Sequence, residues 1–125
     1  MKKSVLIADD HEMIRNALCE LFASQADFEV CAEAENGKEA VEMAQVFRPD
    51  LILLDLSMPV MNGIEAAREL KRLMPMVPII VFSDYGSAFS EREASSAGIS
   101  AVVSKTEQLL VLLNKARNVL YSKAA

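Results

Sequence analysis

Asp55 ends the apolar run Leu51-Ile52-Leu53-Leu54, and Asp9 and Asp10 end a second, Val5-Leu6-Ile7-Ala8. A four-residue apolar run after Pro49-Asp50 reads as a strand buried on both faces. A carboxylate at its C-terminal end then emerges at the mouth of a parallel sheet, where open α/β sheets keep their sites. If both strands are central and parallel, three acids converge on one crevice. Two like charges about 4 Å apart repel by roughly 4 kcal/mol at an effective dielectric of 20, so such a cluster is unfavourable without a cation. His11, the sole histidine, reads as an exposed first-turn residue, which leaves a donor set of oxygens only. That set suits a hard divalent ion. Mg²⁺ in particular prefers one or two carboxylates plus waters and phosphate oxygens to an all-protein cage.

The elements that must position these acids follow from hydrophobic periodicity. Ile14, Ala17, Leu18, Leu21 and Phe22 recur at three- and four-residue spacing and predict one apolar helix face after the first strand. Phe28, Val30 and Ala32 alternate with Glu29, Cys31 and Glu33, which suits a wetter edge strand. Asn36-Gly37-Lys38-Glu39 and Asn62-Gly63-Ile64-Glu65 each open a helix, the Asn as cap and the Glu placed to bond back. Val77-Pro78-Ile79-Ile80-Val81-Phe82 is a fourth strand with Pro near its start, and Ser100 to Val103 a short fifth. Leu109, Leu112, Leu113, Ala116, Val119 and Leu120 share one face of a closing helix. Between Ser87 and Gly98 the only apolar residues are Ala88, Phe89, Ala94 and Ala97, so the fourth helix is expected to bury little and to be marginally stable.

Five β/α units with short connections and no Gly/Pro-rich linker imply a mainly parallel sheet with helices on both faces. The expected architecture is a flavodoxin-like, doubly wound five-stranded sheet of order 2-1-3-4-5, forming a single domain over residues 1–125. In that order strands one and three are neighbours, and Asp9, Asp10 and Asp55 flank the switch point.

Composition narrows the function. A chain of 125 residues with 52% hydrophobic content supports one packed core. A net charge of −5 argues against direct nucleic-acid or anionic-membrane contact by this domain. Lys2-Lys3 precedes an apolar stretch far too short for a signal peptide, and no run is long enough to span a membrane, so a cytoplasmic location is expected. Cys19 and Cys31 lack neighbours at metal spacing and read as reduced structural thiols.

Asp9-Asp10 after strand one, Asp55-x-x-Met58-Pro59-x-x-Asn62-Gly63 after strand three, Ser83 ending strand four, Ala97-Gly98 before strand five and Lys105 after it resemble the receiver domain of two-component response regulators. The resemblance covers essentially the whole chain, and five motifs in order on the right elements make it specific. It implies that Asp55 takes a phosphoryl group from a sensor histidine kinase or phosphotransfer protein. It implies Mg²⁺ held by Asp9, Asp10, Asp55 and the backbone carbonyl of Ser57, with Lys105 and Ser83 completing the cradle. It further implies a changed affinity for an output domain or partner protein, with room for a phosphorylation-dependent homodimer. Such a domain catalyses its own phosphorylation and dephosphorylation without being a metabolic enzyme. The chemistry agrees. Asp55 would attack phosphorus in line to give an acyl phosphate, and charge on three equatorial oxygens would be met by Mg²⁺, the Lys105 ammonium and the Ser83 hydroxyl.

Departures from the family pattern bear on function. Thr106 stands where proline usually follows the lysine, and looks like the cap of the last helix. Val102 stands where many receivers carry an aromatic switch residue. Asp84 follows the hydroxyl residue where a small side chain is usual, and should hinder phosphorylation. These departures admit an alternative, a degenerate receiver acting as a phosphorylation-independent protein-binding module. An aspartate-nucleophile phosphohydrolase is a second alternative, disfavoured because position 57 is Ser and not an acid. A flavin-binding protein is disfavoured because Asp9-Asp10-His11 stands where a phosphate nest would need small or hydroxyl residues.

Overall fold

The structure is a computed structural model and describes residues 2–83, 91–105 and 109–121, the side chains of Ser83 and Glu91 excepted. Strands and helices alternate throughout: β1 Lys3–Ala8, α1 Glu12–Ala23, β2 Phe28–Ala34, α2 Gly37–Phe47, β3 Leu51–Asp55, α3 Gly63–Leu73, β4 Ile79–Ser83, α4 Glu91–Ser96, β5 Ala101–Ser104 and α5 Leu109–Tyr121. The five strands are all parallel and ordered β2-β1-β3-β4-β5. This is the expected flavodoxin-like arrangement.

Each central strand divides its side chains between two apolar layers. Leu6, Ala8, Ile52, Leu54, Ile79 and Val81 pack with Ala40, Val41 and Ala44 of α2, Ala66, Ala67 and Leu70 of α3, and Ala94 of α4. Val5, Ile7, Leu51, Leu53, Ile80 and Phe82 pack with Leu18 and Phe22 of α1 and Leu112, Leu113 and Ala116 of α5. Burial on both faces is why these strands read as continuous apolar runs instead of alternating ones. At about 1.5–3 kcal/mol per fully buried large aliphatic or aromatic side chain, these two layers are the main force holding the acid-bearing strand ends in place.

Three expectations are modified. Ala17 is exposed, and the inner face of α1 is completed by half-buried Arg15 and Cys19. Leu109 is also exposed, so the buried stripe of α5 starts at Leu112. The alternation of β2 breaks as well. Val30 pairs with Val5 but Ala32 pairs with Leu6, so Cys31 is the extra residue of a bulge. Phe28 and Val30 therefore face the α1 layer while Ala32 and Ala34 face the opposite one. A one-residue slip exchanges the faces of everything after it, and turns Glu33 toward α1.

The helix starts behave largely as read. Asn62 accepts from the Glu65 N–H at 2.9 Å and Glu65 accepts from the Asn62 N–H at 3.0 Å, a complete capping box. Asn36 accepts from the Glu39 N–H at 2.8 Å, but Glu39 reaches back one residue further, to the Glu35 N–H at 3.1 Å. Ala94 and Ala97 of the fourth helical segment are buried. Ala88, Phe89 and the Thr106 cap lie outside the described residues. Among the described residues both cysteines are free, and no helix is long and apolar enough to cross a membrane.

Candidate functional site

The C-terminal ends of β1 and β3 lie side by side, with Ala8 paired to Leu54, so the residues that follow share the crevice between them. Asp9 is fully buried and Asp55 is 2% exposed, two carboxylates in a protein interior where such groups are rare unless paired. The Asp9 N–H donates to the Ala34 carbonyl at 3.0 Å and continues the β1–β2 ladder past the strand end. The Leu56 N–H does the same to the Phe82 carbonyl at 3.1 Å, anchoring the chain just beyond Asp55. Asp10 is exposed at the rim.

Lys105, in the turn after β5, brings its ammonium into this crevice with only 9% of its side chain exposed. Its Nζ is 3.1 Å from Asp55 Oδ1 and 3.4 Å from Asp9 Oδ2, and lies 5.2 Å from the centre of the Phe82 ring. The lysine therefore offsets one of the two buried negative charges in the resting fold, a larger part than a loop lysine awaiting a ligand would play. Asp55 Oδ1 also accepts from the Ser57 N–H at a long 3.4 Å. Asp9 Oδ2 and Asp55 Oδ2 are buried and have no hydrogen-bond partner.

Burial first, and the Asp9 charge second, push the Asp55 carboxyl up to about 6, while Lys105 pulls in the opposite direction. A carboxylate raised by desolvation beside a second acid is a common signature of a working site. One ligand atom from each of Asp9, Asp10, His11 and Asp55 lies within 4.8 Å of every other. Charge crowding, together with a buried Asp55 Oδ2 that has no hydrogen-bond partner, gives a divalent cation both its coordination and its driving force. These residues fit Mg²⁺.

Two close backbone approaches shape the loop after β3. A Cβ on Gly63 would come within 2.4 Å of the Asp55 carbonyl oxygen, so only glycine lets α3 start beside the acid. Val60 has a φ of 69°, and the Met61 N–H donates across it to the Pro59 carbonyl at 2.7 Å, forming a strained γ-turn. Met58 is buried beneath the same loop.

Arg15 carries a role that the periodicity of α1 does not reveal. Its Nη1 donates to the Asp9 carbonyl at 2.8 Å and its Nε to Glu33 Oε1 at 3.2 Å. The guanidinium thus ties the acid-bearing loop to β2, using the glutamate that the bulge turns inward. An Arg in the first turn of a helix is usually solvated, and nothing in the sequence marks the bulge.

The expected site residues are brought together unevenly. Asp9, Asp55 and Lys105 are in contact, Asp10 is at the rim, and Ser57 is exposed two residues beyond Asp55. The Ser83 backbone pairs with Ser104 at the adjoining strand ends, while its hydroxyl and all of Asp84 lie outside the described residues. Val102, which stands where many receivers carry an aromatic, is half-buried and packs on the apolar layer that includes Ala94 and Ile99.

Comparison with known proteins adds independent evidence. The family model described as response regulator receiver domain matches residues 5–117. The chain is 40% identical to the chemotaxis protein CheY of Halobacterium salinarum over 108 residues, covering 86% of this chain and 88% of that protein. It is 35% identical over 106 residues to the response regulator protein VraR of Staphylococcus saprophyticus, covering 85% of this chain but 51% of VraR. The chain thus spans about half the length of the VraR relatives it matches. Among solved structures, a LuxR-family two-component response regulator from Aurantimonas sp. SI85-9A1 superposes with a TM-score of 0.91 at 28% identity, over 98% of this chain and 88% of the other. The response regulator domain of Thermotoga maritima CheB gives 0.87 at 30% identity, over 96% and 97%.

Proposed function

This chain belongs to the response regulator receiver domain family of two-component systems, and from that premise we propose that it is an aspartate phosphoacceptor switch with Asp55 as the phosphorylated residue. Receiver domains are signalling domains that bind Mg²⁺ at an acidic pocket and interact with histidine kinases and output domains. The observation that carries the reading is the triad of Asp55, Asp9 and Lys105, two buried carboxylates and one buried ammonium at the ends of β3, β1 and β5.

Asp55, raised to about 6, is still about nine-tenths ionised at pH 7, so it is both a carboxylate and a more basic one than an exposed aspartate. One of its oxygens forms the new bond to phosphorus as the bond from phosphorus to the donor's imidazole or acyl oxygen breaks, and the leaving group departs with that electron pair. Asp9, Asp10, Asp55 and the Ser57 carbonyl would hold Mg²⁺, which when bound neutralises the acids and the charge on the phosphoryl oxygens. Lys105 already faces Asp55 and would move its pairing to the phosphoryl group once Asp55 is esterified. Ser83, at the end of β4, would offer its hydroxyl to another phosphoryl oxygen. The buried floor of Ala8, Leu54 and Phe82 excludes water from beneath the acids and strengthens each of these interactions.

A histidine kinase or phosphotransfer protein would supply the phosphoryl group, and an output domain or partner protein would read the result. The domain would act in the cytoplasm and fold as one unit over residues 1–125. The hydrolase alternative gains nothing from the geometry, because exposed Ser57 places no acid beside Asp55. Intact mass after incubation with acetyl phosphate and Mg²⁺ tests the proposal. A base-labile phosphoryl adduct is expected, absent in Asp55→Asn and with chelator. An unchanged mass, with a kinase also failing to phosphorylate the protein, would favour the phosphorylation-independent binding module.

A further inference from the structure

His11 is the N-cap residue of α1, yet its side chain makes no cap hydrogen bond to the helix. The ring turns back over the acids instead. Its Nδ1 lies 3.3 Å from Asp9 Oδ1 and 3.2 Å from Asp10 Oδ1, while the His11 N–H donates to Asp9 Oδ1 at 2.8 Å. The imidazole is 59% exposed, so it reaches the cluster from the solvent side, opposite to the buried floor.

We propose that His11 is a direct nitrogen ligand of the cation held by Asp9, Asp10 and Asp55, and that the site therefore favours first-row transition-metal ions over Mg²⁺. The inference rests on the cation site of the preceding section. Adjacent ligands of a six-coordinate ion with bonds of about 2.1 Å are about 3.0 Å apart, and opposite ligands about 4.2 Å. The two imidazole–carboxylate distances of 3.2 and 3.3 Å lie near the first spacing, and the four ligand atoms, all within 4.8 Å of one another, would draw in by at most about 0.6 Å to meet the second. The buried Asp55 Oδ2, which has no hydrogen-bond partner, is a separate sign that a ligand is wanted at this spot.

Ligand chemistry sets the preference. Carboxylates, carbonyls and water serve Mg²⁺ and Mn²⁺ alike, whereas imidazole nitrogen gains affinity along the series toward Ni²⁺ and gives Mg²⁺ little. For this, Nδ1 must carry its lone pair toward the acids, with the proton on Nε2 facing solvent. In the metal-free fold Nδ1 stands within 3.3 Å of both carboxylates, at the place from which its lone pair would reach the cation.

His11 is the only histidine in the chain, so imidazole nitrogen bound to a metal identifies itself. The untagged full chain loaded with Mn²⁺ is examined by pulsed electron paramagnetic resonance for coupling to ¹⁴N of a coordinated imidazole. Ni²⁺ and Mg²⁺ affinities are then measured by displacement of the Mn²⁺ signal. Coupling is expected in the wild type and absent in His11→Ala, with Ni²⁺ binding weakened about tenfold or more and Mg²⁺ binding less than about threefold. His11→Gln retains a hydrogen-bond donor without the imidazole and should behave as His11→Ala does. Bound Mn²⁺ without ¹⁴N coupling in the wild type would overturn the His11 ligand and leave the cation site standing. Wild-type Ni²⁺ affinity in His11→Gln would also overturn it, since hydrogen bonding would then suffice. Failure to bind Mn²⁺ at all would overturn both this inference and the cation site beneath it. Circular dichroism of each variant confirms that the fold is intact.

Discussion

Replacing Asp55 by asparagine should stabilise the metal-free protein at neutral pH. The folded state holds the Asp55 carboxyl at about 6 against an ordinary 3.8, chiefly through burial and the neighbouring Asp9. A raised folded value means that the folded protein binds this proton more tightly than the unfolded chain does. The resulting stabilisation is complete below about pH 4 and is lost as the pH rises through about 6. A gap of about two units corresponds to about 3 kcal/mol at pH 7. Coulomb terms show why Lys105 does not remove the penalty. At an effective dielectric of 20 its ammonium, 3.1 Å from Asp55, contributes about 5 kcal/mol of attraction, but Asp9 repels Asp55 by at least about 3 kcal/mol, and desolvation is added to that repulsion. Asparagine keeps the shape and loses the charge. Its advantage over wild type should be near zero at pH 4 and grow to about 2–3 kcal/mol by pH 7, a rise in Tm of roughly 10 °C for a chain this size. With no tryptophan in the chain, far-UV circular dichroism is the natural probe, in buffer containing chelator from pH 4 to 8. Adding Mg²⁺ should narrow the difference by stabilising the wild type far more than the variant. An advantage that does not change with pH, or an Asn variant no more stable than wild type at pH 7, would refute the reasoning.

Other perturbations test other contacts. Lys105→Met leaves Asp9 and Asp55 without their shared counter-ion, and should destabilise the chelator-treated protein by about 3 kcal/mol at pH 7 while moving the Asp55 titration above 6, both read from unfolding as a function of pH. Val60→Gly releases a β-branched residue from a φ of 69° at an exposed position, and should raise the urea midpoint by an amount equivalent to about 1 kcal/mol without changing the slope. Gly63→Ala drives a methyl group against the Asp55 carbonyl oxygen, and should cost about 1–3 kcal/mol by urea unfolding and slow phosphoryl uptake from acetyl phosphate.

The parts legible in the sequence are those that depend on repetition. Val5 to Ala8 and Leu51 to Leu54 are apolar on every residue because both faces of a central parallel strand are covered, and that one fact marks β1 and β3 as the strands whose ends carry Asp9 and Asp55. The capping box at Asn62 is legible for a similar reason, since its partners are three residues apart. Contacts set by a single irregularity are not legible. The extra residue at Cys31 has no composition of its own, yet it exchanges the faces of β2, delivers Glu33 to Arg15, and through Arg15 fixes the Asp9 carbonyl. His11 reads as exposed from its position, and more than half of its side chain is; only the backbone turn at the start of α1 brings its Nδ1 against two carboxylates. Lys105 shows the same limit from the other side. Its place after β5 is visible in the sequence, but its part in the resting fold depends on how little water reaches the ammonium. Exclusion of water from Asp9, Asp55 and Lys105 is a joint property of three strand ends, so the electrostatics of the site follow from the packing of the sheet beneath it.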